Sequence, residues 1–419
     1  MDQQASPKQG GLIDVLIAGA GYVGLAAAVA IRQARPGLAV AVVDAAPADV
    51  WQKDGRCSAI AAAACRMLDR LGAWQEIAPE AQAITEMIVS DSRTADPVRP
   101  VFLTFDGEVA PGEPFAHMVA NRALNGALRR RAGELGIDII EGVAVNAFDT
   151  GAQHVAVHLA DGVTIDTRLL VAADGVKSRL RDMAGIKTVH WDYGQSGIVC
   201  TVAHERPHDG RAEEHFLPAG PFAILPLKPD EKGGNRSSIV WTERTADADR
   251  LVAGDMLVFE AELERRFGLK LGEIKVVDKP RAWPLGLTLA RDFVKPRFAL
   301  AGDAAHGIHP IAGQGLNMGF RDVAALAEVV VEADRLGRDI GAFDVLQDYE
   351  RWRRFDTVQM GITTDVLNRM FSNDFGPLRA LRDVGLGLVD RMPRLKDFFI
   401  RQASGLGAAT PRLLRGEAI

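Results

Sequence analysis

Three glycines near the start of the chain have the spacing of a turn that binds phosphate. Residues 14–31 read DVLIAGAGYVGLAAAVAI, so an apolar run breaks at Gly19, Gly21 and Gly24 and continues as an alanine-rich segment. Gly19 permits a tight turn, Gly21 lets backbone N–H groups approach a pyrophosphate, and Gly24 lets a helix pack closely on a strand. The pattern predicts a buried strand that turns into a helix at an anion site.

A second apolar strand, residues 39–43, ends in an acidic residue. Asp44 follows Gly24 by twenty residues, the separation at which a carboxylate binds the hydroxyls of an adenosine ribose. The glycines, the flanking elements and this acid together predict a dinucleotide site.

The apolar run could instead be a membrane span or the apolar part of a signal peptide, because residues 15–31 carry no charge. Asp14 and Arg32 bracket the run, which is at the short end of what crosses a bilayer. The residues before it include one lysine, no basic cluster and no small-residue cleavage site. The glycine spacing explains the run better, so we expect neither alternative.

The composition is that of an ordinary globular protein. The 419 residues suffice for two or three domains, with 47% hydrophobic and 25% charged residues. The net charge of -6 argues against nucleic acid as a partner, because no excess of Lys and Arg is available to neutralise phosphates. Three cysteines without a CxxC pair indicate a reducing compartment, so we expect the cytoplasm.

Two arginines stand at predicted helix starts. Arg56 precedes an alanine-rich stretch that predicts a helix over residues 58–71, and it is either a solvated surface residue or a ligand of a pyrophosphate or substrate. Arg122 begins a helix predicted over residues 121–135 and is well placed to meet a phosphate. The arginines at 129–131 are most simply a solvated face of that helix.

Two later strands also end in turns that could bind a ligand. One runs into Asp174 and Gly175, at the carboxyl end where doubly wound sheets bind ligands. An isolated Asp-Gly pair is more often only a type I turn, and that alternative stays open. The other strand ends in Gly302 and Asp303.

The segment after Asp303 leads through Pro310, Gly313 and Gly315 into a long helix. The start of that helix presents unpaired N–H groups and the positive end of its dipole, which suit an anionic ring edge. His306 and the histidine at 309 lie in the same loop, but they lack the carboxylate or thiol company of a metal site. We therefore expect no bound metal.

Short alternating runs in residues 83–115 and 185–285 predict a second sheet that builds a substrate cavity. Its large apolar residues either line that cavity or form ordinary core, and core is the default. They are Phe216, Phe222, Ile224, Leu225, Trp241 and Trp283.

The last part of the chain, from residue 342, has a helical pattern. Apolar residues recur every three or four positions over 378–392, and residues 376–419 carry eight Arg or Lys against four Asp or Glu. Such a basic amphipathic helix contacts a membrane surface, a partner or its own subunit. The pattern does not choose among these three.

With these landmarks in place, the chain resembles flavoprotein monooxygenases of the FAD-dependent aromatic hydroxylase superfamily, which are similar to para-hydroxybenzoate hydroxylase. Within that superfamily it resembles the ubiquinone-biosynthesis hydroxylase branch over nearly its whole length. Three motifs carry the superfamily resemblance: GAGYVGLAAA, ADGVKSRLR and AGDAAHGIHPIAGQGLNMGFRD. Two stretches are closer to the branch: DGRCSAIAAAACRMLDRLGAWQEI and, most specifically, the tail LGLVDRMPRLKDFFIRQASGL.

The resemblance implies an α/β fold, α+β overall, in which a mainly antiparallel substrate sheet is inserted into a Rossmann-like FAD-binding domain. We expect the FAD-binding domain to be discontinuous, over residues 1–75, 116–184 and 290–341. The substrate sheet then takes residues 76–115 and 185–289, and residues 342–419 form a helical C-terminal region.

The resemblance also implies which residues contact FAD. The glycine-rich turn would hold the pyrophosphate and Asp44 the ribose, although the family more often has Glu there. The arginines would face the flavin and its phosphates, Asp303 the ribityl chain, and the turn at 313–317 the pyrimidine edge of the ring. The implied cofactor-binding residues are Gly19, Ala20, Gly21, Gly24, Asp44, Arg56, Arg122, Asp174, Gly175, Gly302, Asp303, Pro310, Gly313, Gly315, Leu316 and Asn317.

The implied reaction is hydroxylation of a polyprenylated phenol intermediate of ubiquinone with O2, through a flavin hydroperoxide. No side chain is assigned as a catalytic residue. NAD(P)H would dock transiently or another donor would supply electrons, because the sequence has no second GxGxxG. We expect a cytoplasmic protein that makes a peripheral contact with the inner membrane and with a ubiquinone-biosynthesis complex.

Two other functions stay open at this point. One is a soluble hydroxylase of aromatic acids or phenols, which needs a small pocket with a convergent arginine rather than a long apolar tunnel. The other is a flavin-bearing scaffold subunit of a lipid-biosynthetic complex, in which turnover is minor.

Overall fold

The computed structural model describes residues 11–91, 101–106, 108–308, 314–371, 405 and 410–419. Its strands are β1 (Ile13–Ala18), β2 (Val40–Asp44), β3 (Cys57–Ala61), β4 (Gln82–Ile84), β5 (Glu86–Asp91), β6 (Val101–Asp106), β7 (Glu108–Ala110), β8 (Glu113–Pro114), β9 (Ala116–Ala120), β10 (Asp138–Glu141), β11 (Val145–Thr150), β12 (Val155–Leu159), β13 (Thr164–Ala172), β14 (Thr188–His204), β15 (Arg211–Leu217), β16 (Gly220–Leu227), β17 (Asn235–Arg244), β18 (Ile274–Val276), β19 (Arg281–Ala290), β20 (Val294–Lys295), β21 (Phe298–Leu300) and β22 (His306–Gly307). Its helices are α1 (Tyr22–Ala34), α2 (Ala62–Arg70), α3 (Trp74–Ile77), α4 (Asn121–Glu134), α5 (Arg179–Met183), α6 (Thr245–Ala253), α7 (Met256–Phe267), α8 (Gln314–Arg335) and α9 (Phe343–Phe371).

The first sheet places the glycine-rich turn at its centre. The strand order is β10-β2-β1-β13-β12-β11, with β21 paired to the end of β13. The strand β1 pairs in parallel with β2 and β13, which requires a crossover connection, and α1 supplies it between β1 and β2. Residues 15–17 of β1 and residues 24–31 of α1 are buried. The uncharged run is therefore a buried strand and helix, as the glycine spacing predicts.

The second sheet is mainly antiparallel, in the order β22-β19-β14-β17-β16-β15-β5-β6. Only the β15–β5 pairing within this order is parallel. The helix α7 packs on one face, where Phe222 and Trp241 meet Phe259 and Leu263 in a buried cluster. The opposite face is turned toward the first sheet. The predicted α/β fold with a mainly antiparallel second sheet is confirmed.

Of the six apolar residues that could have been either lining or core, four are core. Phe222, Ile224 and Trp241 belong to the cluster under α7, and Phe216 is also buried. Leu225 and Trp283 lie on the other side and line a cavity.

The helix predicted over residues 58–71 was wrong in its first turn. Residues 57–61 form β3, which pairs with β9, and α2 begins only at residue 62. The ladder from Cys57–Ala120 to Ala61–Ala116 supplies backbone hydrogen bonds that outweigh the helix propensity of the alanines.

The C-terminal region is only partly described. The helix α9 agrees with the helical pattern after residue 342, and Leu413 and Leu414 are buried near the end of the chain. Arg412 there pairs with Glu328 and Glu332 of α8. The predicted amphipathic helix over 378–392 lies outside the described residues, and in the described part of the chain no helix is long and apolar enough to cross a membrane.

Two glycines allow α1 to begin directly at the end of β1. Gly19 has a φ of +116°, and a Cβ on it would overlap the carbonyl group of Ala173. A Cβ on Gly24 would overlap the carbonyl oxygen of Gly19. Neither position has room for any side chain, so the close approach of turn, helix and strand depends on both glycines.

We expect Gly24→Ala to lower the free energy of unfolding by about 2 kcal/mol or more, because the added methyl forces helix and strand apart. Urea unfolding followed by circular dichroism measures this. The matched control is Gly133→Ala in α4, where a Cβ meets nothing within 4 Å; it should be neutral or stabilise by about 0.5–1 kcal/mol. Equal stability of both variants would contradict the packing argument.

Candidate functional site

A cavity of about 1210 Å³ lies between the glycine-rich turn of the first sheet and the open face of the second. Its volume exceeds the roughly 300–1,000 Å³ of a site for one small molecule, so two ligands can lie side by side. The structure brings seven of the predicted residues to its wall: Gly21, Arg56, Gly175, Asp303, Gly315, Leu316 and Asn317.

The start of α1 is suited to an anion. Gly21 is the N-cap and provides no side-chain hydrogen bond to the first turn of the helix, so the N–H groups there are available to a ligand. A Cβ on Gly21 would meet nothing within 4 Å and would project where Gly21 lines the cavity. A pyrophosphate fits this open position.

Asp44 holds the glycine-rich turn from behind. Its carboxylate accepts hydrogen bonds from the N–H of Ala20 at 2.5 Å and of Ala46 at 2.7 Å. A carboxylate has about four acceptor positions, so these bonds leave capacity for a ribose hydroxyl. Asp44 therefore stands at the predicted end of β2 with a structural role that the motif did not indicate.

Arg56 faces the cavity as half of an ion pair. Its guanidinium donates to both carboxylate oxygens of Asp54, at 2.9 and 2.8 Å, and lies 5.8 Å from the ring centre of Trp283. Asn121 donates a further hydrogen bond to Asp54 at 3.2 Å. Burial opposes ionisation of Asp54, but the bonds from Arg56 and Asn121 outweigh it and lower the pKa of its carboxyl. Arg56 is thus positioned rather than freely solvated.

Asp303 and Tyr22 both line the cavity and are close enough to interact electrostatically. The carboxylate of Asp303 is open to the cavity. Desolvation by the protein around it raises its pKa, and the nearby His306 and Arg56 only partly offset this rise. Burial and the charge of Asp303 raise the pKa of Tyr22. The cavity wall beside the first turn of α1 therefore holds a carboxylic acid and a phenol.

The turn that carries Asp303 is fixed by a buried carboxylate on α8. Asp322 accepts hydrogen bonds from the N–H of Gly302 at 2.9 Å, from His306 Nε2 at 2.5 Å and from Arg353 Nε at 2.8 Å. Burial alone would raise the pKa of Asp322, but His306 and Arg353 lower it below its ordinary value. His306 therefore serves this anchor.

Two further side chains hold the cavity wall through backbone carbonyls. Arg181 is buried and donates to Val176 O and Ala304 O, both at 3.1 Å, so it joins the turn after β13 to the turn after β21. Asn317 accepts from Ala61 N and donates to Ala59 O, each at 2.9 Å, so it joins the start of α8 to β3. These bonds connect the two later predicted turns to each other and the start of α8 to β3.

The other predicted residues that the structure describes do not line the cavity. Arg122 is exposed at the start of α4, and Asp174 is exposed and accepts a hydrogen bond from Leu180 N at 3.3 Å. Pro310 and Gly313, like the histidine at 309, lie outside the described residues. The others do not belong to the wall: Gly19 and Ala20 lie in the glycine-rich turn, Gly24 in α1, Asp44 at the end of β2 and Gly302 in the turn after β21.

Sequence reasoning missed several residues of the site. Asp54 and Tyr22 stand next to recognised motif residues, so the motifs themselves could have drawn attention to them. Asp322 closes the quoted stretch that begins at 301, but its partner Arg353 follows it by 31 positions and has no local pattern.

We expect Asp322→Asn to lower the free energy of unfolding by about 3 kcal/mol or more, because Arg353 loses a buried charge partner. The lowered pKa of Asp322 means that its stabilisation is present above about pH 4 and is lost as the pH falls further. The stability of the variant should therefore change less than that of the wild type below pH 4. Urea unfolding at a series of pH values measures both effects.

The matched control is Asp348→Asn on α9, where Asp348 forms an exposed ion pair with Arg351. It should change the stability by less than about 0.5 kcal/mol. A loss as large as that of Asp322→Asn would mean that any acid removed near α9 has this effect, and would contradict the role of the buried carboxylate.

Comparison with known proteins identifies the family. Residues 12–354 match the family described as "FAD binding domain". The chain is 46% identical over 410 residues to the ubiquinone hydroxylase UbiL of Rhodospirillum rubrum, covering 96% of this chain and 92% of that protein. It is 33% identical to the 3-demethoxyubiquinol 3-hydroxylase of Escherichia coli, covering 94% and 98%.

Solved structures agree on the fold. The p-nitrophenol 4-monooxygenase PnpA of Pseudomonas putida superimposes with a TM-score of 0.75 at 18% identity, covering 95% of this chain and 99% of that one. At this identity the likeness concerns the fold alone, whereas the sequence relatives extend over nearly the full length. The chain therefore belongs to the family of FAD-dependent monooxygenases that includes these ubiquinone-biosynthesis hydroxylases.

Proposed function

We propose that this enzyme hydroxylates the aromatic ring of a polyprenylated phenol intermediate in ubiquinone biosynthesis, with FAD, O2 and NAD(P)H or another electron donor. The similarity to the ubiquinone hydroxylase of Rhodospirillum rubrum and the 3-demethoxyubiquinol 3-hydroxylase of Escherichia coli supports this assignment. The observation that carries it is the cavity, which joins the cofactor turns to an apolar sheet face.

That sheet face is lined by small and medium side chains. Val199, Ala212, Ala223, Leu225 and Val240 all point into the cavity. They leave room above the cofactor and offer hydrocarbon surface, which suits an aromatic ring with an isoprenoid tail.

The charges in the cavity argue against an aromatic acid as the substrate. Arg56 is held by Asp54, and Arg181 is held by two carbonyl oxygens. Among the described residues that line the cavity, none on the strands β14 to β17 is an arginine or lysine. On the described part of the second sheet, a substrate carboxylate would therefore meet no arginine or lysine in the cavity.

FAD would bind on the side of the cavity that the turns of the first sheet line. The N–H groups at the start of α1 and Arg56 would hold the pyrophosphate, Asp44 the ribose and Asp303 the ribityl chain. When bound, FAD supplies the chemistry: it accepts electrons from the donor, activates O2 and transfers one oxygen atom. The N–H groups at Gly315, at the positive end of α8, would stabilise negative charge on the ring.

The remaining predicted roles belong to the same proposal. Arg122, Asp174 and Gly175 would support the phosphates and a transiently docked nicotinamide, and Pro310 and Gly313 would lie beside the flavin ring. Because a polyprenyl tail partitions into lipid, the enzyme would work in the cytoplasm at the surface of the inner membrane. A contact with other ubiquinone-biosynthesis proteins would deliver the substrate.

Replacing Gly21 by valine tests the cofactor site. We expect Gly21→Val to weaken FAD binding at least about tenfold, because its side chain fills the space of the pyrophosphate, while the apoprotein stays folded. Titration of apoprotein with FAD, followed by flavin fluorescence, measures the affinity. The control Gly37→Val also projects into open space but lies away from the cavity, and an equal loss there would contradict the assignment.

Deletion of the gene tests the substrate. The deletion strain should accumulate a quinone precursor that lacks one hydroxyl group, detected by mass spectrometry of extracted lipids. The wild-type gene should restore the quinone and Gly21→Val should not. Normal quinone in the deletion strain would overturn the proposed function, and full rescue by Gly21→Val would favour a scaffold over an enzyme.

A further inference from the structure

The glycine-rich turn contains a residue whose two peptide groups are held from outside the turn. Ala20 is buried and lies between Gly19, which has a φ of +116°, and Gly21. Glycine rotates more freely than any other residue, so two glycines beside Ala20 leave the orientation of its peptide groups weakly determined by the turn itself. Contacts from other elements are therefore needed to fix these groups.

Two elements supply those contacts, one on each side of Ala20. The carboxylate of Asp44, at the end of β2, accepts a hydrogen bond from the N–H of Ala20. The carbonyl oxygen of Ala20 accepts hydrogen bonds from Asn125 Nδ2 and Arg129 Nη2 of α4, both at 3.4 Å. A carbonyl oxygen has two lone pairs, so it can accept from both donors. We call the side chains of Asp44, Asn125 and Arg129 the Ala20 clamp.

Arg129 connects the clamp to the rest of the first sheet. Its Nε donates to Asn125 Oδ1 at 2.7 Å, and because arginine only donates, this bond leaves the Nδ2 donor of Asn125 for Ala20. Its Nη1 donates to Glu141 at the end of β10 at 2.7 Å. Its guanidinium also lies 5.3 Å from the ring centre of Trp51. The arginine thus joins α4, β10 and the glycine-rich turn.

The structure does not place Arg129 on the solvated face that the sequence pattern predicts for it. The side chain of Arg129 is 14% exposed and that of Glu141 is 16% exposed, whereas the side chain of Arg130 is 63% exposed. The prediction is therefore wrong for Arg129. Because Glu141 balances its charge, Arg129 is suited to hold protein groups in place rather than to bind an anion itself.

The orientation of the Ala20 carbonyl also decides that of the next N–H group. The peptide bond between Ala20 and Gly21 is trans, and in a planar trans peptide the C=O and N–H groups point in opposite directions. Holding the carbonyl oxygen of Ala20 therefore sets the direction of the N–H of Gly21, which lines the cavity at the start of α1. The proposed function assigns the pyrophosphate of FAD to this position.

We propose that Arg129 is a positioning residue for FAD, which acts through the carbonyl group of Ala20 to preorganise the N–H groups that bind the pyrophosphate. The inference rests on the proposed function and deepens it, since it names a residue that sets the affinity of the cofactor site indirectly. Donors that are fixed before the ligand arrives save the free energy of ordering them during binding.

Replacing Arg129 by alanine tests the proposal. The dissociation constant of FAD is measured by adding FAD to the apoprotein and following flavin fluorescence, and circular dichroism shows that the apoprotein is folded. We expect Arg129→Ala to raise the dissociation constant at least about tenfold. The control Arg130→Ala removes the next arginine of α4, which forms an exposed ion pair with Glu76, and should leave the constant unchanged within about twofold.

Chemical rescue separates positioning from a general loss of structure. N-ethylguanidinium carries the planar donor group that Arg129→Ala lacks, so it should restore most of the FAD affinity of that variant and leave the wild type unchanged. Ethylammonium carries the charge without the planar donors and should not restore it, and Arg129→Lys should bind FAD as weakly as Arg129→Ala. Wild-type affinity in Arg129→Lys, or a loss that N-ethylguanidinium does not reverse, would overturn the proposal.

A second variant tests the same carbonyl group if Arg129→Ala does not fold. Asn125→Ala removes the other donor to Ala20 and leaves the ion pair of Arg129 with Glu141 in place. It should also raise the dissociation constant of FAD, because the carbonyl group of Ala20 is then less firmly held. An unchanged constant in this folded variant would contradict the clamp.

The outcomes separate this inference from the proposed function. Unchanged FAD affinity in Arg129→Ala, with a loss in Gly21→Val, would overturn the role of Arg129 and leave the pyrophosphate at Gly21. Unchanged affinity in both variants would overturn both assignments. Normal quinone in the deletion strain, together with weakened FAD binding and its chemical rescue, would overturn only the proposed pathway.

Discussion

The buried carboxylate of Asp322 is the interaction on which the arrangement of the site depends. It binds the backbone of Gly302, the ring of His306 and the guanidinium of Arg353, and all of these groups are buried. Gly302 begins the turn beside the cofactor site, His306 belongs to β22, and Arg353 belongs to α9. One charge on α8 thus fixes three separate elements, and removing it would leave a buried arginine short of a partner.

The carboxylate of Asp322 also links the cofactor side of the cavity, at Gly302, to the second sheet, at His306. The strand β22 pairs with β19, with Leu289 opposite His306, and β19 also contributes Trp283 to the wall. The second sheet is therefore anchored to the turn that carries Asp303 by hydrogen bonds of buried groups. A reaction between two bound molecules needs this precision, because rates fall steeply when reacting atoms are misplaced by about 1 Å.

The local parts of this site were predictable and the non-local parts were not. The spacing of Gly19 and Gly24 predicts a strand, a turn and a helix, because the positive φ of Gly19 and the contact of Gly24 with the carbonyl oxygen of Gly19 are local. The strand β3 was read as helix because its partner β9 is about sixty residues away. The sequence does not indicate that Trp241 packs under α7 while Glu214 faces the cavity. The strand pairing and the position of α7 decide which face of the sheet is covered.

The use of two sheets follows from the opposite needs of the two ligands. An anionic cofactor needs N–H donors, and a parallel sheet concentrates them where helices start after its strands, as at Gly21. The proposed substrate, a neutral ring with a hydrocarbon tail, needs a broad apolar surface without exposed backbone. An antiparallel sheet provides it, because alternate residues such as Ala223 reach the cavity while their neighbours such as Phe222 pack on a helix. Since neither sheet offers both surfaces, a site for both ligands has to lie between them.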